Sequence, residues 1–593
     1  MENNYEIKDI YQGGPDSLSP SYGDDFIGHR IPFSELSAST DARSANIVKE
    51  IGETISSGIK NIEVSQVMPE VFEAIPKQQF EELNKLIKLT GVKVTLHGPL
   101  IDASGLTQQG FTESGRESAE RHIKSVIDRN QLLVPEGGNP ITFHSANQLP
   151  GKIKPKKGEV EEIIVIDPES GETNRIPLKE RHFPGEIERD EKIEIDKLNQ
   201  NTWSNQLTNL GYNTIRADEL IKQTGRHYAF IQDEKRKGIK PSSDYKEIEN
   251  QFLIGKNYLS DSYRQLKILY DKAYTAADGN GSIKNKEILE ELGKKIKENV
   301  NKINKNPEDL KNLNIMQDII HEGLEHFNKM NTPNMFKPLK EFAKDKTTTT
   351  FGNAALHAYK KYGSKAPIVS IENPPVDSGS EFTTGEDIKN LVKESREKFV
   401  KEAVKEKILS ESEAKKQAEK LIGATWDVGH INTLRKFGYD KKDILKETEK
   451  VAPFVKHVHL ADNFGMKDTE LPMGMGNVPI KEIMQKLGKE GYKGKKVIEA
   501  FQWWQHFSPE GQPQQSPLNP TLAAFGTPIH STGEGPYWNQ TVGFQQDYLG
   551  GYGNINPGIH HQTFGSGFSQ LPMELGGQVQ GGQGSRVSGN PME

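Results

Sequence analysis

The sequence predicts an α/β protein: a (β/α)8 barrel with a large, mainly helical insertion after strand 4 and a low-complexity C-terminal tail. Three observations predict this class. Short apolar runs alternate with helical stretches, eight such runs lie outside the insertion, and most of them end in a histidine or a carboxylate. The eight runs span about 270 residues, close to the usual size of a barrel of eight parallel strands. A doubly wound sheet with fewer strands is the alternative.

Apolar runs of strand length, bounded by helical stretches, mark the individual elements. The predicted strands lie at 31–39, 58–64, 92–97, 141–144, 366–372, 424–427, 455–460 and 496–500. The helices predicted between them end near residue 58 or cover 76–89, 114–130, 352–362, 385–421, 441–451 and 480–490. This repeated alternation is typical of a parallel sheet.

Changes in composition divide the chain into five parts. They are an irregular lead-in at 1–30, barrel halves at 31–150 and 350–506, the insertion at 151–349, and a Gly, Gln and Pro-rich tail at 507–593. The insertion begins with a predicted hairpin at 162–178. Lys/Glu-rich helical stretches at 245–276 and 284–303 follow, which we interpret as an antiparallel pair with solvated charged faces. The tail lacks periodicity and is expected to be partly disordered.

The overall composition limits the possible chemistry. The chain has 593 residues, 33% of them hydrophobic, a formal net charge of -7 and no cysteine. Disulfides and thiolate metal sites are therefore excluded, and a metal would need histidine and carboxylate ligands. The acidic balance does not indicate a nucleic-acid partner. Because the sequence shows neither an N-terminal apolar signal nor an apolar run of about 20 residues, we expect a cytoplasmic protein without a membrane partner.

Candidate ligands stand where the predicted strands end. They are His97, His144, Glu372, Asp427, His459 and Glu499, with His430 three residues after Asp427 and with Asp468 and Glu470 in the loop after the seventh strand. The carboxyl ends of barrel strands converge on the catalytic face, so these side chains are expected to meet there. Such residues bind Mn, Mg, Co, Zn or Fe. Each one, like His457 beside His459, could instead be a hydrogen-bonded structural residue.

The runs LHGP, FHSAN, IENPP, WDVGH, HLADN with DTELPMGMG, and VIEAF resemble the strand-end motifs of the xylose isomerase-like TIM-barrel superfamily. This group includes sugar phosphate isomerases and epimerases and the endonuclease IV family of apurinic-site nucleases. The resemblance covers about 31–150 and 350–505. It implies that Glu372, Asp427, His459 and Glu499 hold one divalent metal ion (Mn, Mg, Co or Zn).

The resemblance to the isomerase branch also implies a reaction. Glu372 and Glu499 would transfer a proton beside the carbonyl of a sugar or sugar phosphate through a cis-enediol. His430 is a further catalytic candidate. A chain of this family can form oligomers, and the insertion, placed after the fourth strand, is expected to overhang the catalytic face.

Two other readings stay open. Resemblance to endonuclease IV would add a zinc on His97 and His144, another on His430, Asp468 and position 470, and a nucleic-acid substrate. Glu470 stands where that pattern has a histidine, and both the HLADN run and the acidic balance favour the isomerase branch. The third reading is a binding or assembly protein on a barrel scaffold, without metal.

Overall fold

The computed structural model describes residues 35–499 apart from 41, 43–45, 57–59, 67, 108, 148, 159–161, 179–189, 240–244, 280–281, 303–309 and 472–475. The predicted lead-in at 1–30 and tail at 507–593 lie outside the described residues. Ala500, the last residue of the predicted eighth strand, also lies outside the described residues.

Eight parallel strands close into a barrel in chain order, which confirms the predicted fold class. They are β1 Leu36–Ser39, β2 Asn61–Ser65, β3 Lys93–His97, β4 Pro140–His144, β5 Ile368–Glu372, β6 Ile422–Asp427, β7 Val455–Leu460 and β8 Lys496–Ile498. The barrel closes where β8 pairs with β1, Val497 lying opposite Ser37. The strands are rich in buried Ile, Val and Leu because helices cover a parallel barrel from outside.

The described helices follow the strands. They are α1 Ile47–Ser56, α2 Pro69–Ala74, α3 Lys77–Thr90, α4 Glu113–Leu133, α5 Glu191–Arg236, α6 Tyr245–Gly279, α7 Ile283–Val300, α8 Leu310–Lys329, α9 Leu339–Tyr362, α10 Gly385–Lys405, α11 Glu411–Leu421, α12 Val428–Asn432, α13 Lys441–Val451 and α14 Ile480–Lys489. None of these described helices combines the length and the apolar composition needed to cross a bilayer.

The prediction of one long helix at 385–421 was wrong, because two helices occupy this stretch. The Ser410 hydroxyl accepts a hydrogen bond from the Glu413 amide, and the Glu413 carboxylate accepts one from the Ser410 amide. This capping box starts a new helix. Lys407, just before it, has a φ of 59°, which a continuing helix does not allow.

The chain divides into two compact units. One contains the described residues up to Val160 and from Ala343 onward, and the other spans Glu161–Phe342. The second unit has an antiparallel sheet, in which strand Glu162–Ile166 pairs with both Thr173–Pro177 and Lys337–Pro338.

Four helices, α5 to α8, complete the second unit in place of the predicted pair. Buried residues recur every seventh position, which is the repeat of coiled-coil packing. They are Trp203, Leu210, Ala217, Thr224 and Ile231 on α5, and Phe252, Leu259, Leu266 and Ala273 on α6. Gly255 on α6 lies close to α5, since a Cβ there would be 2.9 Å from Leu220 Cβ.

Candidate metal centre

Four of the predicted ligands meet at the carboxyl ends of neighbouring strands. Glu372 and Asp427 are the last residues of β5 and β6, His459 lies one residue before the end of β7, and Glu499 directly follows β8. One ligand atom from each of the four lies within 4.8 Å of the others. His459 Nδ1 is 2.7 Å from Glu372 Oε1 and 3.1 Å from Glu499 Oε1.

Three residues of this set have buried atoms without a hydrogen-bond partner among the described residues. The atoms are Glu372 Oε1, Asp427 Oδ2 and both ring nitrogens of His459. The short contact between Glu372 and His459 lacks the geometry of a hydrogen bond. Buried polar atoms without partners are costly and rare, so their presence in three neighbouring residues indicates a ligand. Carboxylate oxygens with one imidazole are a donor set that fits a divalent cation.

The charges of the cluster also favour a bound cation. Burial raises the pKa of Asp427 well above its usual value; the charge of His430 opposes this, and those of Glu499, Asp468 and Glu372 reinforce it. Burial would also raise the pKa of Glu372, but His459 and His144 outweigh it and hold that pKa well below the usual range. Carboxylates so close together repel one another, and a cation between them would relieve the repulsion.

His97 and His144, which end β3 and β4, both contact Glu372. Their Nε2 atoms lie 3.0 and 3.2 Å from Glu372 Oε2. His97 Nδ1 is 2.9 Å from the Gly98 carbonyl oxygen, so an Nδ1–H can donate there while Nε2 faces the carboxylate. Burial would lower the pKa of His97, but the hydrogen bond and charge of Glu372 raise it to about 9. These three residues form a second group able to hold a metal ion.

His430 and Asp468 form a pair beside the four-residue set. The short helix α12 starts at the end of β6, and the His430 amide donates to Asp427 Oδ1 at 2.6 Å. His430 Nδ1 lies 2.7 Å from the Asn373 carbonyl oxygen, and its Nε2 is 3.2 Å from Asp468 Oδ2. Gly429 lets this turn approach β7, because a Cβ there would lie 2.9 Å from Ala461 Cβ.

Glu470 lies in the same loop as Asp468 with a φ of 47°, in the left-handed region that few residues other than glycine adopt. Burial, together with the charges of Asp468 and Glu499, raises its pKa to about 8. Its Oε2 is buried without a described hydrogen-bond partner. Neither Asp468 nor Glu470 belongs to the metal-binding groups found among the described residues.

Two residues of the centre were not predicted. Glu63 on β2 contacts both His457 and His459 from inside the barrel. Asn373 exchanges hydrogen bonds with the backbone of Asp427, accepting from its amide at 2.9 Å and donating to its carbonyl at 3.1 Å. A signal existed for each: Glu63 stands alone between Ile62 and Val64 in an apolar strand, and Asn373 is the third residue of the IENPP run.

Comparison with known proteins bears on the family. Residues 407–517 match the family model described as "Xylose isomerase-like TIM barrel". This part of the barrel is therefore similar to that family. The predicted resemblance is confirmed to this extent, and the match includes Asp427, His459 and Glu499.

One curated relative and two solved structures are similar to this chain. The uncharacterized protein MJ1311 of Methanocaldococcus jannaschii is 34% identical over 80 residues, which are 14% of this chain and 26% of that protein. The chain thus matches about a quarter of the length of this relative. A D-tagatose 3-epimerase-like protein has 14% identity and a TM-score of 0.35, covering 79% of this chain and 91% of that one. The 3-keto-D-glucoside 4-epimerase of E. coli, in apo form, has 10% identity and a TM-score of 0.34. The match covers 83% of this chain and 98% of that one. These structural likenesses are too low to bear on activity.

Proposed function

We propose that the xylose isomerase-like barrel is a divalent-metal-dependent isomerase or epimerase acting on a sugar or sugar phosphate. One observation carries this proposal: ligand atoms of Glu372, Asp427, His459 and Glu499 converge within 4.8 Å, and each of the first three residues has a buried atom without a hydrogen-bond partner among the described residues. These four residues would hold the ion. When bound, a divalent ion polarises a carbonyl and its neighbouring hydroxyl.

The chain's own contribution to the reaction is proton transfer. One of Glu372 and Glu499 takes the proton from the carbon beside the sugar carbonyl, and protonation of the carbonyl oxygen then gives a cis-enediol. Return of a proton to the former carbonyl carbon, with loss of the proton from the other hydroxyl, isomerises the sugar. Return of a proton to the opposite face of the original carbon, with loss of the proton from the former carbonyl oxygen, epimerises it. A general base must come within about 3 Å of the proton that it takes, and a carboxylate with a second oxygen free can do so while it binds a metal.

His430 is proposed as an additional acid–base group. Its ring is held between the Asn373 carbonyl and Asp468, and its side chain is 6% exposed. The charges of Asp427 and Asp468 outweigh burial and raise the pKa of His430 well above its usual value. A protonated imidazole in this position could donate a proton to a substrate oxygen.

A second candidate function is an endonuclease IV-like zinc-dependent phosphodiesterase acting on abasic sites. It is favoured by the group of His97, His144 and Glu372, which could hold a second ion beside the first. His430 and Asp468, which would hold a third ion, contact each other but lie outside the metal-binding groups of the described residues. Glu470, in place of the family's histidine, and the acidic net charge favour the isomerase instead.

Metal content and substrate together test these functions. We expect elemental analysis of the purified protein to find one divalent ion per chain, and we expect solvent deuterium to enter a bound ketose or ketose phosphate. Two or three zinc ions with cleavage of an abasic-site duplex, and no exchange into any ketose, would replace the isomerase with the nuclease. Absence of metal and of both activities would favour the binding or assembly protein.

A further inference from the structure

A second carboxylate lies behind the metal centre. Glu63, on β2, is fully buried inside the barrel. Its Oε2 is 2.8 Å from His457 Nε2 and accepts a hydrogen bond from the Thr95 hydroxyl at 2.8 Å. Its Oε1 is 3.0 Å from His459 Nε2, a close contact of charge and ring that lacks the geometry of a hydrogen bond. Glu63 therefore contacts two histidines of one strand, which both point inward because they are two residues apart on β7.

The two ring nitrogens of His459 face different groups. Nε2 faces Glu63, while Nδ1 faces Glu372 and Glu499 of the four-residue set. A neutral imidazole carries one N–H, and the contact made by one nitrogen decides which nitrogen keeps the lone pair. A carboxylate behind a metal-binding histidine holds the N–H on its own side and makes the other nitrogen a stronger ligand.

Glu63 itself does not belong to the ion site. Among the described residues its ligand atoms group with those of His457 and His459, and not with those of Glu372, Asp427 and Glu499. The Thr95 hydroxyl and His457 occupy its Oε2, and Glu63 and His459 are both 0% exposed. Glu63 Oε2 is therefore already engaged, and we assign no ion to the group of Glu63, His457 and His459.

We propose that Glu63 is a positioning residue of the metal centre: its carboxylate charge, 3.0 Å from His459 Nε2, favours the N–H on that nitrogen and so leaves the Nδ1 lone pair for the ion. His457 in turn orients Glu63. This inference rests on the metal site of the proposed function, but not on the reaction or its substrate.

The main test is the Mn²⁺ affinity of the full-length Glu63→Gln variant, measured by titration calorimetry on metal-free protein. The amide keeps the size of the side chain but loses the charge, and we expect Mn²⁺ to bind about 10- to 100-fold more weakly. Glu63→Asp, which keeps the charge, should recover part of the affinity. Unchanged Mn²⁺ affinity in folded Glu63→Gln would overturn the proposal.

Asp128→Asn is the matched control. Asp128 also contacts a histidine, with Oδ1 3.0 Å from His357 Nε2, and it accepts from Lys361 and Tyr362. It lies on α4 and is absent from the metal-binding groups of the described residues. We expect Asp128→Asn to lower the unfolding temperature and leave Mn²⁺ affinity unchanged. Equal affinity losses in both variants would reduce Glu63 to a structural role and overturn the proposal.

A measurement on the wild type covers the case in which the Glu63 variants do not fold. We expect a crystal structure with Mn²⁺ to show His459 bound through Nδ1. Coordination through Nε2 would overturn the proposal. Failure of the proposed function can be distinguished from failure of this inference. If Mn²⁺ binds tightly and its binding depends on Glu63, but no deuterium enters any ketose, the isomerase is excluded and the role of Glu63 stands. A wild type that binds no divalent ion overturns both.

Discussion

The two compact units bury different kinds of side chain. Inside the barrel, Glu63, Glu372, Asp427, His457 and His459 are at most 1% exposed. The second unit is centred instead on an apolar cluster that includes Trp203, Leu259, Leu289, Leu292 and Phe327. Burying charges costs free energy unless partners or a metal compensate, whereas burying apolar area stabilises. The buried charges of the barrel therefore need compensation, whereas burial of the apolar cluster by itself favours the folded second unit.

The largest effect is expected from Glu499→Gln. Removing the acid–base function while keeping an oxygen ligand should reduce solvent-deuterium exchange into a bound ketose by about 10²- to 10⁴-fold. Glu411→Gln on the exposed start of α11, where the carboxylate pairs with Lys415, is the control and should leave exchange unchanged. Wild-type exchange in Glu499→Gln would exclude this residue from proton transfer.

Leu289→Ala tests the second unit alone. Leu289 on α7 is fully buried in the apolar cluster, so its truncation should lower the free energy of unfolding of this unit by about 2–5 kcal/mol. Denaturant unfolding measures this loss. Mn²⁺ affinity should stay at the wild-type value, because the four-residue set belongs to the other unit. A large fall in affinity would show that the two units are coupled.

Chelation should destabilise the barrel and leave the stability of the second unit unchanged. An ion that binds only the folded barrel stabilises it by about 2.7 kcal/mol when the free ion is at a hundredfold excess over Kd. Removing it with EDTA should therefore lower the unfolding temperature of the barrel and leave that of the second unit in place. Calorimetry with and without Mn²⁺ can distinguish the two transitions. If EDTA has no effect on either transition, the buried carboxylates do not hold an ion.

The smallest effect on the metal is expected from deleting residues 161–342 and joining the ends through a flexible Gly/Ser linker. Mn²⁺ affinity should change by no more than about twofold, since the four-residue set belongs entirely to the other compact unit and sites without shared partners are nearly independent. An insoluble product, or one that has lost its metal, would mean that the barrel needs the insertion to fold.

Local patterns in the sequence determined the barrel. Most of the eight strands are short apolar runs, and within the described residues their predicted and observed bounds differ by no more than a few residues. His97, His144, Glu372 and Asp427 stand at strand ends in the sequence, and a parallel barrel brings all such ends to one face. This is why residues from distant parts of the chain could be predicted to meet at one face, whereas the choice of Glu372, Asp427, His459 and Glu499 as one set came from the resemblance.

Local patterns were less informative where an element depends on its neighbours. Helix α5 went unpredicted because its buried positions, such as Leu210, Ala217 and Thr224, differ in polarity and share only their spacing. Packing against α6 decides that Thr214 and Thr224 are buried there. The end of α10 near Lys407 was missed as well, because the capping box at Ser410 interrupts a stretch whose helical periodicity continues.

Only the tertiary structure decided the role of Glu63. In the sequence it is one carboxylate within an apolar run, 394 residues before His457, and nothing local links the two. Closure of the barrel places β2 and β7 around the same interior, where Glu63 reaches both His457 and His459. Periodicity predicts which way a side chain points, but the partner of an inward-pointing charge depends on which strands face each other across the barrel, and that depends on closure of the whole sheet.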